Sequence, residues 1–146
     1  VFWAQTAGAA NWNSLEPLKS RRADVERTLG RPVEDKSGGA GALTFKVAGG
    51  TVKVSFVTAK FVATKKLSPE LEGTVLQIVL QHERAKDTPE SLGLTNNSAF
   101  EREEKGPAVV FRNQRDGLAY TFVNGKLTTT WYSAAAEQLA GAQAKG

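Results

Sequence analysis

Short runs of alternating apolar and polar residues, separated by tight-turn signals, constrain the fold of this chain more than any other feature. The dipeptide Asn124-Gly125 separates two such runs and is typical of the type I′ turn that joins neighbouring antiparallel strands. Gly49-Gly50 separates another two runs and predicts a second hairpin, in which Val47 faces Val52. The chain is therefore expected to form an antiparallel sheet.

Six segments show this strand pattern. Residues 74–82 are the most apolar of them, and their β-branched content favours a central strand. The charged segments 34–41 and 101–105 are interpreted as solvent-exposed connections. The predicted strands span residues 43–47, 52–57, 74–82, 108–112, 118–123 and 126–132.

Residues 15–32 carry the signals of one short amphipathic helix. Ser20 is suited to be its N-cap, because a serine hydroxyl accepts a hydrogen bond from the first turn. Val25 and Leu29 are four residues apart and therefore share a face, which needs to be buried. Gly30 is expected to end the helix with a positive φ.

Together these elements predict an α+β fold. We expect an antiparallel sheet of about five to six strands, with one N-terminal amphipathic helix packed on it and a short C-terminal helix at 134–139. Residues 15–140 are assigned to this single α+β domain. Residues 1–14 are assigned to an N-terminal arm, and residues 141–146 to a flexible tail.

The composition excludes several kinds of site. Cysteine is absent, which rules out disulfides, thiolate metal sites and thiol nucleophiles. No apolar run approaches the roughly 18 residues that a transmembrane helix needs, so no transmembrane segment is expected. The net charge is +4, but the basic residues are scattered among acids rather than arranged in one stripe. No nucleic-acid partner is expected for that reason.

The first ten residues contain a pattern typical of export. Ala7-Gly8-Ala9 has the small-x-small form of a signal-peptidase site, and Val1-Phe2-Trp3 resembles the end of an apolar signal region. The arm is accordingly a signal-peptide remnant or a docking arm of the mature chain. We expect a periplasmic or secreted protein.

The sequence offers no convergent set of catalytic residues. His82 is the single histidine, and one histidine makes no zinc site without thiolates or several carboxylates. The serines lack the context of a nucleophile elbow. The acids at 101–104 lie among basic residues and are interpreted as solvated charges. We expect a non-enzymatic protein with no catalytic residue, cofactor or metal.

Two pairs of residues near the N-terminus are candidates for partner contacts. Phe2 and Trp3 lie in the arm, have no evident partner within the chain, and include the residue type that dominates protein contacts. Arg21 and Arg22 lie near the start of the predicted helix, where an anion is favoured.

Trp131 and Tyr132 are the third candidate pair. They are adjacent on one predicted strand, so their side chains point to opposite faces of the sheet. One of them is expected in the core, and the other is expected to be exposed or covered by a helix.

The helical segment resembles that of BamE/SmpA-type envelope domains, which place such a helix before an antiparallel sheet. The chain also resembles uncharacterised exported proteins of Acidobacteria-type bacteria at both of its ends. The first resemblance rests on Ser20, Val25, Leu29, Gly30 and Pro32. The second rests on Trp12, Pro17, Leu18, Arg22 (one place from its expected position), Asp24, Glu26, Gly117, Leu118, Tyr120, Gly125 and Lys126.

These resemblances imply an exported domain that works through protein contacts, and they transfer no catalytic residue. Unlike BamE, the chain has no cysteine to carry a lipid anchor. The predicted function is a subunit or accessory of a cell-envelope or extracellular assembly, with other envelope proteins or a second copy as partner. The alternatives are a small periplasmic hydrolase or ligand-binding protein, and a basic nucleic-acid-binding domain.

Overall fold

The computed structural model describes residues 12–36 and 42–143. In these residues, eight strands form one sheet, accompanied by three short α-helices and a 3-10 helix at Pro69–Leu71. The strands are β1 (Glu34–Lys36), β2 (Ala42–Val47), β3 (Gly50–Phe56), β4 (Val75–His82), β5 (Glu101–Lys105), β6 (Ala108–Asn113), β7 (Leu118–Val123) and β8 (Lys126–Ser133). The helices are α1 (Arg22–Leu29), α2 (Ala59–Lys65) and α3 (Ala136–Gly141).

The strands lie in the order β1-β2-β3-β4-β8-β7-β6-β5, and each neighbouring pair is antiparallel. The sheet therefore consists of two meanders, β1–β4 and β5–β8, which are joined where β4 pairs with β8. That pairing runs from Gln77 opposite Ser133 to Gln81 opposite Thr129. Local hairpins build each half, and one long-range pairing unites the halves.

The predicted architecture of five to six strands with one N-terminal and one short C-terminal helix is wrong. In its described residues the molecule is mostly sheet, with eight antiparallel strands and only short helices. The two strands that the sequence did not predict, β1 and β5, are the two edges of the sheet, and their described side chains are exposed. Charge on an edge strand discourages pairing with other chains. Such strands lack the apolar alternation on which the prediction relied.

Helix α2 is a further element that the sequence did not predict. Thr58 caps it by accepting a hydrogen bond from the Phe61 N–H at 3.1 Å, and Lys66 ends it in the left-handed conformation with a φ of 56°. The helix has only seven residues, too few to show a clear helical period.

Both predicted hairpins are confirmed. Asn124 and Gly125 have φ values of 53° and 79°, as the type I′ turn between β7 and β8 requires. The turn between β2 and β3 is tighter than predicted, because Val47 pairs with Gly50 rather than with Val52.

The start of α1 differs from the prediction, whereas its end agrees with it. Ser20 is not the N-cap, because its hydroxyl accepts from the Glu16 N–H at 2.9 Å. Arg21 holds the N-cap position, and the Asp24 carboxylate accepts from its N–H at 2.8 Å. Gly30 ends the helix with a φ of 84°, which confirms the predicted positive value.

One face of the sheet, which we call the covered face, carries the core. Over β2, β3 and β4 it is covered by α1 and the segment before it. Leu15 and Val25 are 1% and 0% exposed there, and they pack with sheet residues that include Phe45 and Ile78. Leu29 is partly buried against the same cluster.

Residues 83–100, which connect β4 to β5, cover the same face over the second meander. Leu94 is buried there against Phe111, Phe122 and Leu127. The Phe111 and Phe122 rings meet edge to face with centroids 5.8 Å apart. The two halves of the sheet are thus covered on the same face by two different segments of the chain.

A third cluster closes one end of the sheet, where β3 and β8 end and β4 begins. Leu18, Val57, Leu67 and Ala134 are buried in it, and side chains of α2 and α3 pack around them. The Gln138 side-chain amide donates to the Pro17 carbonyl at 2.5 Å, which ties α3 to the N-terminal segment.

Candidate functional site

The opposite face of the sheet, which we call the open face, lies away from the core clusters. Successive side chains of a strand point to opposite faces of the sheet, so the residues that alternate with those of the covered face lie on the open face. The register brings five of them side by side across β3, β4, β8, β7 and β6. We call these residues the central row; they are Lys53, Val79, Trp131, Ala119 and Arg112.

Trp131 occupies the middle of the central row. Its cross-strand neighbours are Val79 and Ala119. The indole is partly buried, yet it belongs to none of the three apolar clusters of the described residues. Its N–H has no acceptor in the described part of the chain and is accessible to solvent.

Hydrogen-bonding side chains surround the indole. The Gln77 amide donates to the Ser133 hydroxyl at 3.1 Å, and the Thr129 hydroxyl donates to the Gln81 amide oxygen at 3.1 Å. Gln81 is exposed, and its amide N–H₂ has no acceptor within residues 12–36 and 42–143. The centre of the open face therefore combines one large aromatic ring with polar groups on either side.

The charges of the open face are unevenly distributed. On the six strands between the edges, its charged side chains are all cations, namely Lys46, Lys53, Arg112 and Lys126. Lys46 pairs with Glu83 at 2.6 Å, and Arg112 pairs with Glu103 of β5 at 3.0 Å. Lys53 is exposed and forms no ion pair with any residue that the structure describes.

Tyr132 lies on the covered face, opposite to its neighbour Trp131. Its strand neighbours are Ile78 and Leu118, and its ring packs against the core cluster beneath α1. Burial raises the pKa of Tyr132 to about 12, with a smaller contribution from Tyr120. Of the two adjacent aromatic residues, the structure leaves Trp131 on the open face.

Arg21 and Arg22 are engaged in contacts within the chain. The Arg21 guanidinium donates to the carbonyls of Glu70 and Glu72 at 2.6 and 3.1 Å. The Arg22 guanidinium pairs with Glu26 at 2.9 Å and with Asp35 at 2.7 Å. Hydrogen bonds to these carboxylates, that to Asp35 first, raise the pKa of Arg22. The structure does not bring this pair together with Trp131, and Phe2 and Trp3 lie outside the described residues.

His82 lies on the covered face with its Nε2 atom 2.9 Å from the Thr130 hydroxyl. Burial lowers the pKa of His82, and the Asp87 carboxylate partly opposes this shift. Thr130 is only 2% exposed, so its hydroxyl is not open to a substrate. No group of three or more histidine, cysteine or acidic side chains is placed to hold a metal ion in the described ranges. Within those ranges, too, none of the helices has the length and apolarity to cross a membrane.

Two shallow grooves of about 400 Å³ each lie away from the open face. One is lined by polar residues around Glu16 and Asp24, whose carboxylates already pair with Lys19 and Arg27. The other runs between the 3-10 helix and α3. Neither groove contains any residue of the central row or His82.

Lys53 and Arg112 were not among the residues singled out from the sequence. Each lies between apolar residues on its own strand, which indicates only that it faces away from the core. The β6–β7 and β7–β8 hairpins align Arg112 with Trp131, whereas the alignment of Lys53 with Trp131 depends on the pairing of β4 with β8. No local sequence signal reports that pairing.

Comparison with known proteins indicates the fold alone. No family model matches the chain, and no curated protein is significantly similar to it in sequence. Among solved structures, it is similar to a DUF4309 family protein, YjgB, from Bacillus subtilis, with a TM-score of 0.55 and 14% sequence identity. The match covers 87% of this chain and 88% of that chain.

The resemblance to BamE/SmpA-type domains is wrong, because the structural neighbour belongs to a different family. The residues that suggested it serve general structural purposes. Gly30, for example, ends α1 as glycines end helices in many folds. The resemblance to Acidobacteria-type exported proteins is withdrawn with it, since its matches also include turn glycines such as Gly117 and Gly125.

Proposed function

We propose that this chain is an exported, non-enzymatic protein-interaction domain that binds its partner through the open face. The observation that carries the proposal is the position of Trp131, which lies in the middle of that face outside the three core clusters. Tryptophan is among the residues that contribute most to protein–protein binding when they lie near the centre of an interface.

The size of the open face supports this function. Strands about 4.8 Å apart and about 17–20 Å long give an eight-stranded face of roughly 700 Å². A standard protein interface buries about 800 Å² on each partner. A protein surface therefore matches this face in area, whereas a small molecule is usually enclosed in a concave pocket.

Export is the second part of the proposal. It rests on the small-x-small pattern of Ala7-Gly8-Ala9, which is typical of signal-peptidase sites. The partner is then another envelope or extracellular protein. Fractionation of the source cells, with an antibody against the chain, tests this part by showing whether it lies in the envelope or medium rather than in the cytoplasm.

The binding function is tested by affinity capture with a matched pair of variants. Wild-type chain, Trp131→Ala and Val33→Ala are each used to capture proteins from the envelope fraction of the source organism. Val33 is 66% exposed, so the Val33→Ala variant removes an exposed apolar side chain other than Trp131. A captured protein is identified, purified and shown to bind the wild-type chain directly.

We expect Trp131→Ala to lose that protein and Val33→Ala to retain it. Ala119→Glu is a second variant, which places a charge beside the indole without removing it. Retention of the purified partner by both open-face variants, with unchanged melting temperatures, would contradict the proposal.

A further inference from the structure

The central row carries a cation on each side of Trp131 at equal strand spacing. Lys53 lies two strands away in one direction, and Arg112 lies two strands away in the other. With about 4.8 Å between strands, each cation is about 10 Å from the indole, measured across the sheet. Val79 and Ala119 fill the two intervening positions with short apolar side chains.

Both cations can accept a further anionic partner. Lys53 is exposed and has no ion pair within the described residues. Arg112 uses one nitrogen, Nη1, to donate a hydrogen bond to the Glu103 carboxylate. A guanidinium has five N–H donors in all, so donors remain for a second carboxylate.

Within the described residues, acidic side chains on the open face are confined to the two edge strands. They are Glu34 of β1 and Glu101 and Glu103 of β5, while β2, β3, β4, β8, β7 and β6 present none on this face. The potential over the middle of the face is therefore positive, which favours an anionic partner and speeds its encounter.

Resting on the proposed function, we infer that the partner is an acidic protein segment that crosses the strands of the open face. It places an apolar side chain against Trp131 and a carboxylate against each of Lys53 and Arg112. Single-stranded nucleic acid fits the row less well, because its bases stack on several aromatic side chains along a continuous basic groove. Here one indole lies between two widely separated cations.

The spacing can be tested with a short peptide of known geometry. A polyproline II helix has three residues per turn and rises about 3.1 Å per residue, so every third side chain lies on one edge about 9 Å from the last. The probe is Glu-Pro-Pro-Phe-Pro-Pro-Glu with blocked ends. The controls are the same peptide with glutamine or lysine in place of both glutamates.

Binding is followed by NMR titration of the full chain, using the Trp131 indole N–H and the backbone amides of Lys53 and Arg112. We expect the glutamate peptide to shift these signals, and the glutamine peptide to bind about tenfold more weakly. The lysine peptide should not bind. Lys53→Gln should weaken glutamate-peptide binding about threefold, and so should Arg112→Gln. Lys65→Gln is the matched control, since Lys65 is an exposed lysine of α2 and should have no effect.

Five results would overturn the inference, four of them from the binding experiments. The glutamate and glutamine peptides could bind equally well, or the glutamate peptide could shift none of the signals. The Lys53→Gln/Arg112→Gln double variant could bind the glutamate peptide as tightly as the wild type does. Oligothymidylate could shift the same signals and bind more tightly than the peptide. A shift of the Trp131 signal on deletion of residues 1–6 would also overturn it, because the chain's own N-terminal segment would then be the occupant.

The two proposals can fail separately. If the peptide does not bind but Trp131→Ala still loses its purified partner, the interaction function stands and the acidic chemistry is wrong. If neither the peptide nor any purified partner depends on Trp131, both proposals are wrong.

Discussion

At the scale of single residues, Gly50 is a position where the sheet leaves no room for a side chain. It begins β3 opposite His82 of β4, and an added Cβ would collide with the Gln81 carbonyl oxygen. Gly50→Ala must therefore push the two strands apart, and we expect it to lower the free energy of unfolding by about 1–3 kcal/mol. Urea denaturation measures this loss.

Gly141→Ala is the matched control for that experiment. Gly141 is the last residue of α3, and an added Cβ meets no atom within 4 Å. The substitution should leave the urea midpoint nearly unchanged. Equal stability of the two alanine variants would show that the close approach of the strands at Gly50 does not affect the free energy of unfolding.

His82 gives a pH dependence whose sign follows from its environment. Burial lowers the pKa of His82 in the folded chain, so the unfolded chain takes up this proton first as the pH falls. The stabilisation is fully present above the unfolded pKa of about 6.5. It is lost as the pH falls from there through the lower folded pKa. We expect the melting temperature to fall more between pH 7.5 and pH 5 for the wild type than for His82→Gln.

Glutamine is the chosen replacement because its amide can keep a hydrogen bond to Thr130, the partner of His82 Nε2. The difference between the two chains isolates the histidine from the carboxylates that titrate in the same range. Parallel pH curves would mean that His82 has the same pKa in the folded and unfolded states.

At the scale of elements, α1 stabilises the fold through one fully buried side chain. Val25 is 0% exposed beneath the helix, whereas Leu29 is only partly buried. We expect Val25→Ala to cost about 1–3 kcal/mol, and Leu29→Ala to cost less although leucine is the larger residue. Thermal melts of both variants, with exposed Arg27→Ala as the control, check the order. A larger loss for Leu29→Ala would show that the helix is buried along a different stripe.

The strands that could be predicted from the sequence are the six inner ones, whose alternation reflects a buried face. Asn124-Gly125 also specified its turn type, since both residues have the positive φ that other residue types disfavour. The edge strands β1 and β5 were not predicted, because they consist of charged residues and lack apolar alternation. Charge on an edge strand discourages pairing with other chains, so it suits the very strands that a search for alternation overlooks. Helix α2 depends on the contacts of Phe61 and Val62, which a local pattern does not report.

The candidate site was only partly predictable for a related reason. The opposite orientation of Trp131 and Tyr132 follows from strand geometry, but which of the two faces the core depends on what covers the sheet. Of the two cations of the central row, Arg112 is aligned with Trp131 by the consecutive hairpins of β6, β7 and β8, whereas Lys53 comes from a strand that is far from β8 in the sequence. Only the pairing of β4 with β8 brings Lys53 into line, and that pairing leaves no signal in either strand.

At the scale of the whole molecule, the chain consists of two halves that meet along one pair of strands. The first half has its core beneath α1, and the second has its core beneath residues 83–100. The chain passes between them near Arg84. Glu83 N–H donates to the Gly49 carbonyl of the first half, whereas the Asp87 carbonyl accepts from Leu127 of the second half.

This arrangement predicts that a chain divided after Arg84 still assembles. Fragments 1–84 and 85–146 retain their own hairpins, and the β4–β8 register with the contacts of α3 supplies the surface that joins them. Fragments that are expressed together, with a tag on one only, should copurify and show a single cooperative melt below that of the intact chain. Val79→Pro in the first fragment should abolish copurification, because proline removes a hydrogen-bond donor from the middle of a central strand. Copurification that survives Val79→Pro would indicate non-specific association, and fragments that never copurify would show that the covalent link is required for the halves to fold.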